Sequence, residues 1–515
     1  MGAPDTPLFV RLSRLLKRWG AHPEGHKYPA AGTEITAIPL PALLTLPLSQ
    51  HVGAPARPVV AVGQRVLRGQ LLAEAAATIS APIHAPTSGT VTGIAEVPVP
   101  HPSGLSGMAI LLAPDGLDEA VEFHGADPFT LEPAEIARRV AAAGVVGLGG
   151  AAFPAAVKLS QGQRTPISTL IINGGECEPY LSCDDRLMRE RAPAVVDGAR
   201  IIRHTVGAGR VLIGVETNKP EAIAALREAA AGLEGIRVVP VPSRYPMGSA
   251  QQLISWLTGL EVPAEGRSAD IGMLVHNVGT AVAIHRAIRF GEPFTKRVVT
   301  VTGGALRTPR NLEVCLGTPA AALVEFCGGL VDTPARLVIG GPMMGIAVNT
   351  LDLPIIKGTG GVLALSAAET GARREEGPCI RCTSCVGACP IGLLPLEMAA
   401  RIRGGDLGAS VDLGLKDCIG CGTCAFVCPS KIPLVQYFNH AKGELAARER
   451  SKLKQDAIRE LAEARSARME REAREKAEAA ARRKAERERA KAEAAAKAAA
   501  AAAAAEKSAS EENTA

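Results

Sequence analysis

Residues 379–390 read CIRCTSCVGACP, and residues 418–429 read CIGCGTCAFVCP. Each run has the form C-x2-C-x2-C-x3-C-P, and every cysteine of the second lies 39 residues after its counterpart. The segment is therefore an internal duplication. This is the spacing of two-cluster [4Fe–4S] domains, in which three close thiolates hold one cluster and the cysteine before proline reaches across to the other. One expected ligand set is Cys379, Cys382, Cys385 and Cys428; the second is Cys418, Cys421, Cys424 and Cys389. A pair of zinc sites is the competing reading, but zinc sites pair two short motifs across a longer loop. A doubled four-cysteine run ending in Cys-Pro is better explained by iron and sulfide.

The chain around these runs has 515 residues, room for several domains that each bury a core. Apolar residues make up 47% but aromatics only 3%, so alanine carries much of the apolar count. The net charge of +5 is too small to announce a nucleic-acid binder. Residues 441–515 hold 19 basic and 15 acidic residues, which leaves the first 440 close to neutral. Two uncharged stretches fail as membrane helices. Residues 35–56 contain Pro39, Pro41, Pro47 and Pro55, and residues 140–157 contain Gly144, Gly147, Gly149, Gly150 and Pro154. Arg11, Arg14, Lys17 and Arg18 break the apolar run that an export signal needs. Without export a disulfide framework is not expected, and metal binding is the better reading of the dense cysteines.

Reading from the N-terminus, residues 8–19 (LFVRLSRLLKRW) put Leu8, Leu12, Leu15, Leu16 and Trp19 on one helical stripe among basic residues. The segment 1–33 is expected to carry a short amphipathic helix, docked on its own domain, on a partner or on a membrane surface. Residues 34–114 show short strand-like runs punctuated by Gly63 and Gly69. Residues 115–290 alternate helical and strand-like segments, which argues for an α/β domain with a mostly parallel sheet. Residues 291–345 read as a small β-grasp-like module, 346–376 as a linker, 377–440 as the cysteine domain. The tail, 441–515, has 28 alanines and no aromatic residue, and is expected to be helical or disordered.

Three segments of the α/β region carry chemistry. Residues 144–158 (GVVGLGGAAFPAAVK) let a backbone approach a phosphate or a flat ring closely. Residues 171–180 (IINGGECEPY) set two carboxylates beside two glycines, costly to bury unless something polar is bound. Residues 275–280 (VHNVGT) offer amide and hydroxyl groups at the start of a helix. Each signal is ambiguous by itself.

Their order is not. GLGGAAFP with Lys158, then NGGECEP, YPMGSAQQL (245–253) and HNVGTA (276–281), is similar to the NADH-binding flavoprotein subunit of respiratory complex I. Residues 57–95 resemble the barrel-sandwich hammerhead of biotinyl and lipoyl carrier domains, but contain no lysine to modify. The whole combination resembles the RnfC (RsxC) family over roughly residues 20–440, with GGECEPY, ADIGMLVHNVGTA, RVVTVTGG and CPSKIPLVQYF carrying it. The implied fold is multidomain α/β: a hammerhead, a flavoprotein-like domain, a β-grasp module, a ferredoxin-like domain with two [4Fe–4S] clusters, and an Ala/Glu/Lys-rich tail.

The resemblance also implies a function. FMN would contact Gly147, Gly149, Gly150, Phe153, Lys158, Asn173, Glu176, Asn277 and Thr280, and NADH would meet Phe153 and Glu178. The chain would be a peripheral subunit on the cytoplasmic face of the bacterial inner membrane. It would exchange hydride with NAD(H) and relay single electrons to an iron–sulfur, ferredoxin-accepting subunit of an Rnf complex with integral membrane subunits. The complex I pattern is broken at Leu148, Ala152, Gly175, Ser249 and Ala250. Those positions favour an alternative, a non-catalytic iron–sulfur adaptor with a degenerate flavin pocket. A soluble hydrogenase or formate dehydrogenase subunit fits the hammerhead and the duplicated run less well. Cys177 reads as an incidental small residue, Cys315 and Cys327 as buried thiols, and His51, His84 and His101 as structural.

Overall fold

The computed structural model describes residues 19–163, 165–371 and 375–511. The expected N-terminal helix, residues 8–18, lies outside the described residues. The chain divides into two units, Met1–Asn439 and His440–Ala515.

The first unit is built from consecutive layers. Strands Leu44–Pro47, Ser106–Pro114, Gly89–Pro98 and Arg65–Val66 form one sheet, and Arg57–Pro58, Leu71–Glu74 and Ile83–His84 a second. Together they make the expected barrel-sandwich. Its interior is apolar because the strands alternate inward residues such as Leu44, Leu46, Val91, Ile110 and Leu112, all fully buried.

The α/β domain follows. Four parallel strands lie in the order Ile236–Val241, Arg210–Glu216, Thr169–Gly174, Met273–Asn277. Leu170, Ile171 and Ile172 are fully buried on both faces, as expected of a parallel sheet covered by helices. Thr169–Gly174 and Met273–Asn277 pair in register, so Asn173 lies directly beside Asn277 at their carboxyl ends. In open α/β sheets, ligand crevices form at that end.

The third layer is a six-stranded sheet in the order Thr36–Ala37, Arg310–Cys315, Lys296–Thr302, Gly361–Leu365, Arg336–Ile339, Ile346–Val348. Two expected boundaries need correction. Residues 346–376 are no linker: they supply two strands, and Gly361–Leu365 sits inside the sheet between Lys296–Thr302 and Arg336–Ile339. Its sequence, GVLAL, is buried at every position and shows no alternation, so only its partners mark it as a strand. Thr36 and Ala37, expected within the hammerhead, instead pair with Leu312 and Glu313.

The cysteine domain is a set of short helices, including Ser384–Ala388, Pro395–Arg403, Leu407–Asp412 and Thr423–Phe426. The second unit is helical, forming most of the helix Leu434–Glu511. Its exposed surface carries i,i+4 ion pairs such as Arg448–Glu444 and Arg474–Glu478. Among the described residues, no helix is long and apolar enough to cross a membrane.

Candidate functional site

The two cysteine runs fold into two separate cavities. Cys379, Cys382, Cys385 and Cys428 line one, with Leu396, Ala399, Ile432 and Leu434 as apolar walls. Cys389, Cys418, Cys421 and Cys424 line the other, with Ile391, Met398 and Phe438. In each, the cysteine before proline comes from the opposite run. Four thiols converging on an apolar hollow suit a [4Fe–4S] cluster, which takes four thiolates. The positive-φ residues Thr383, Gly420 and Gly422 bend the chain between ligands. Burial, with neighbouring cysteines adding to it, pushes the Cys424 thiol well above its ordinary range, which suits a thiolate held by a metal cluster rather than a free one.

The glycine-rich segment makes a tight turn. Gly147 N–H donates to Phe153 carbonyl at 2.8 Å, and Val146 bridges Pro154. Leu148 N–H donates to the Thr280 hydroxyl at 2.9 Å, and Thr280 is fully buried. The turn is thereby fixed to the start of helix Val278–Arg289, whose N-cap is Asn277: its Oδ1 accepts from Gly279 N–H at 2.8 Å. A Cβ on Gly149 would stand 3.5 Å from the Asn277 side chain, while Gly150, at φ +105°, faces open space. Lys158 lies in the following short helix, Ala155–Leu159, and donates to the Val275 carbonyl at 3.2 Å. Burial lowers its pKa. Beside it His276 is buried with Nε2 unpartnered, and burial followed by the Lys158 charge pulls its pKa down to about 3. A helix start, a nearby cation and an open glycine turn fit a flavin nucleotide.

The acidic loop is held more tightly than its sequence suggests. Glu176 is buried, and its carboxylate accepts from Asp184 N–H at 2.8 Å and Asp185 N–H at 3.3 Å, so it caps helix Cys183–Glu190. Asp184 in turn accepts from the Asn277 amide at 2.6 Å, and burial, then the Glu176 charge, raises its pKa. Glu178 accepts from Met343 N–H at 3.1 Å and Met344 N–H at 2.9 Å. Burial pushes its carboxyl up to about 7, against the pull of those two amides. Asn173 donates to the Gly248 carbonyl at 2.8 Å and accepts from Gly175 N–H at 2.9 Å. Gly175 and Gly248 approach so closely that a Cβ on Gly248 would stand 2.0 Å from Gly175 O.

Gly147, Gly149, Gly150, Asn277 and Thr280 thus come together around one turn, with Lys158 beside them. Asn173, Glu176 and Glu178 belong to the adjoining loop, their polar atoms engaged by protein groups. Phe153 is half-buried at the turn's end.

Sequence reasoning passed over Lys27. Its ammonium is buried, which lowers its pKa, and it donates to the carbonyls of Glu176 at 2.9 Å, Glu178 at 3.0 Å and Leu181 at 2.5 Å. His26 stacks on Tyr180 at 4.7 Å. A nest of three carbonyls exists only in the folded loop, so a lone lysine in a Gly/Pro-rich segment gave no signal. Lys357 was also missed: it is fully buried, donates to Pro82 O and Gly144 O, and burial lowers its pKa to about 7.

Comparison with known proteins assigns these layers to families. Residues 17–117 match the RnfC barrel sandwich hybrid domain, 140–286 the Nuo51 FMN-binding domain, 298–347 the SLBB domain and 378–432 the 4Fe-4S dicluster domain. The RnfC protein of the ion-translocating oxidoreductase complex from Rhodobacter capsulatus is 47% identical over 447 residues, 86% of each chain. That from Pseudomonas aeruginosa is 45% identical over 458 residues, 88% of this chain and 59% of the other. That from Erwinia tasmaniensis is 45% identical over 454 residues, 88% of this chain and 56% of the other. A solved NAD+-reducing [NiFe]-hydrogenase in the H2-reduced state is similar over 62% of each chain, at 19% identity and a TM-score of 0.44. The glycine turn at a helix start, the two four-cysteine cavities and the extended identity agree: the chain belongs to the RnfC family of the ion-translocating oxidoreductase complex.

Proposed function

We propose that this chain is the subunit through which the complex exchanges hydride with NAD(H), relaying electrons singly to or from an iron–sulfur, ferredoxin-accepting partner at the cytoplasmic face of the inner membrane. The observation that carries this reading is one chain holding both a glycine turn fixed to a helix start and two four-cysteine cavities. When bound, FMN accepts two electrons together and releases them one at a time, and each [4Fe–4S] cluster carries one. Gly147, Gly149 and Gly150 give the flavin close backbone access, with Phe153 beside the ring. Asn277, Thr280 and Lys158 hold its polar end, and Asn173 and Glu176 shape the wall. Glu178 faces the dinucleotide. Cys379, Cys382, Cys385 and Cys428 hold one cluster, and Cys418, Cys421, Cys424 and Cys389 the other. Ion movement belongs to the integral membrane subunits.

A second reading, the non-catalytic adaptor, is favoured by one observation. The Gly175 and Gly248 backbones close on each other, and the carboxylates of Glu176 and Glu178 are satisfied by backbone amides. The test is anaerobic reconstitution with iron and sulfide, FMN titration, and NADH-driven bleaching of the cluster absorbance. FMN-dependent bleaching that is lost in Glu178→Gln or Lys158→Ala supports hydride exchange. About eight irons per chain with neither FMN binding nor an NADH response supports the adaptor.

A further inference from the structure

The two cysteine cavities are not equivalent in their surroundings. Contacts that reach the cysteine domain from outside it gather on the ligands of one centre and on their immediate neighbours. Ala388 and Pro390 flank Cys389. The Ala388 carbonyl accepts from Gly20 N–H at 2.9 Å, and the Pro390 carbonyl from Gln252 Nε2 at 3.1 Å. The Cys421 carbonyl accepts from the Tyr245 hydroxyl at 2.6 Å. Gly422, at φ +80°, packs so closely that a Cβ would stand 2.9 Å from the Met343 carbonyl. Asp417, next to Cys418, accepts from Glu265 N–H at 3.1 Å.

The other cavity is framed by its own domain. Gly377 N–H donates to Ser430 O at 2.9 Å, and the Ser430 hydroxyl to Pro378 O at 2.8 Å. Cys379 and Cys382 are exposed, and Ile380 between them is 65% exposed, whereas Cys421 and Cys424 are buried.

The segments that reach the buried centre also hold the acidic loop. Gly248, three residues after Tyr245, accepts from Asn173 and donates to the Cys177 sulfur at 3.2 Å. Met343, whose carbonyl meets Gly422, donates its amide to Glu178. Tyr245 is 2% exposed, and a buried hydroxyl needs a partner; here the partner is a ligand's own carbonyl. Two short chain segments therefore run from the carboxyl ends of the parallel strands to a single cluster site.

On the reading of both cavities as [4Fe–4S] sites, we infer that the centre held by Cys418, Cys421, Cys424 and Cys389 is the one wired to the flavin domain. The centre held by Cys379, Cys382, Cys385 and Cys428 is the one that faces solvent. Tyr245 is a positioning residue for the inner centre. An electron leaving the flavin domain meets the inner centre first and departs through the outer one, one electron in and one out at each. The Tyr245 O–H dipole points its positive end toward the inner centre, which favours the more negative reduced state.

The experiment uses the full chain, reconstituted anaerobically, and starts from its iron content. Fewer than about eight irons would sink the cluster reading itself, separately from the wiring. With both clusters present, electron paramagnetic resonance of the reduced protein gives two signals, assigned by their loss in Cys385→Ser or Cys424→Ser. An added dysprosium–EDTA chelate is expected to speed relaxation of the Cys385-dependent signal several-fold more than the Cys424-dependent one. Tyr245→Phe is expected to lower the midpoint potential of the Cys424-dependent signal alone. A second measurement needs no variant. During brief treatment with an iron chelator, iodoacetamide should label Cys379, Cys382, Cys385 and Cys428 before Cys389, Cys418, Cys421 and Cys424. Equal relaxation of both signals, a potential shift confined to the Cys385-dependent signal, or labelling in the reverse order would overturn the assignment.

Discussion

Glu178→Gln tests how the acidic loop is built. The Glu178 carboxylate is wrapped by the 341–344 segment: Met343 and Met344 donate to it, and a Cβ on Gly341 would stand 2.3 Å from Oε2. Burial moves its pKa from 4.5 to about 7. The folded protein therefore keeps this proton where the unfolded chain has lost it. A raised folded pKa means stability that is full below about pH 4.5 and lost as pH rises through about 7. A shift of that size corresponds to roughly 3 kcal/mol at most. Glutamine is neutral throughout and removes the dependence. At pH 5 the variant should be less stable by ~1–2 kcal/mol, because its amide nitrogen cannot accept from one of the two backbone amides. Between pH 5 and pH 8.5 the difference, variant minus wild type, should rise by up to ~3 kcal/mol. The assay is anaerobic urea denaturation of both proteins at equal iron content, followed by circular dichroism across that range. Parallel pH profiles, separated by a constant offset, would refute the claim that Glu178 is buried with a raised pKa.

Other substitutions probe the remaining supports. Lys27→Met deprives three carbonyls of their donor; the urea midpoint should fall by an amount equivalent to ~2–4 kcal/mol, and the KM for NADH should rise more than kcat falls. Thr280→Val leaves Leu148 N–H without its acceptor and should weaken FMN affinity about tenfold, one lost hydrogen bond of ~1.4 kcal/mol, read by fluorescence quenching. Asp197 accepts from His285 at 2.7 Å and Arg289 at 2.9 Å. Burial alone would raise its pKa, but those partners hold it well below the carboxylate range. Its stabilisation is therefore present above about pH 4 and lost as pH falls, so Asp197→Asn should flatten the acid limb of the stability profile.

Much of the architecture was legible because its signals are local. The two C-x2-C-x2-C-x3-C-P runs state their chemistry in spacing alone, since three thiolates within seven residues fit one cluster. STLIING and RVLIGVE read as buried parallel strands because both faces are apolar. The strand Gly361–Leu365 was hidden: its sheet neighbours, Lys296–Thr302 and Arg336–Ile339, come from well earlier in the chain, and a short apolar run does not announce its pairing. The same holds at the site. Asn277, Thr280 and the glycine turn were visible as motifs, yet the hydrogen bond from Leu148 to Thr280 joins residues far apart in the chain.

What the sequence determined by itself was the inventory: eight cysteines in a duplicated pattern, a glycine turn, an acidic loop and a helix start. Which atoms are free to act was decided by tertiary structure. Glu176 and Glu178 read as ligand-facing carboxylates, but packing commits their oxygens to backbone amides. Lys27 carried no motif, yet burial makes it the donor to three carbonyls. The two cysteine runs are near-copies, and only the fold buries Cys421 under Tyr245 while leaving Cys379 and Cys382 exposed. Spacing fixes which groups can share a site because neighbouring residues stay neighbours in any fold. Exposure, charge state and order along a path depend on what long-range packing sets against each group.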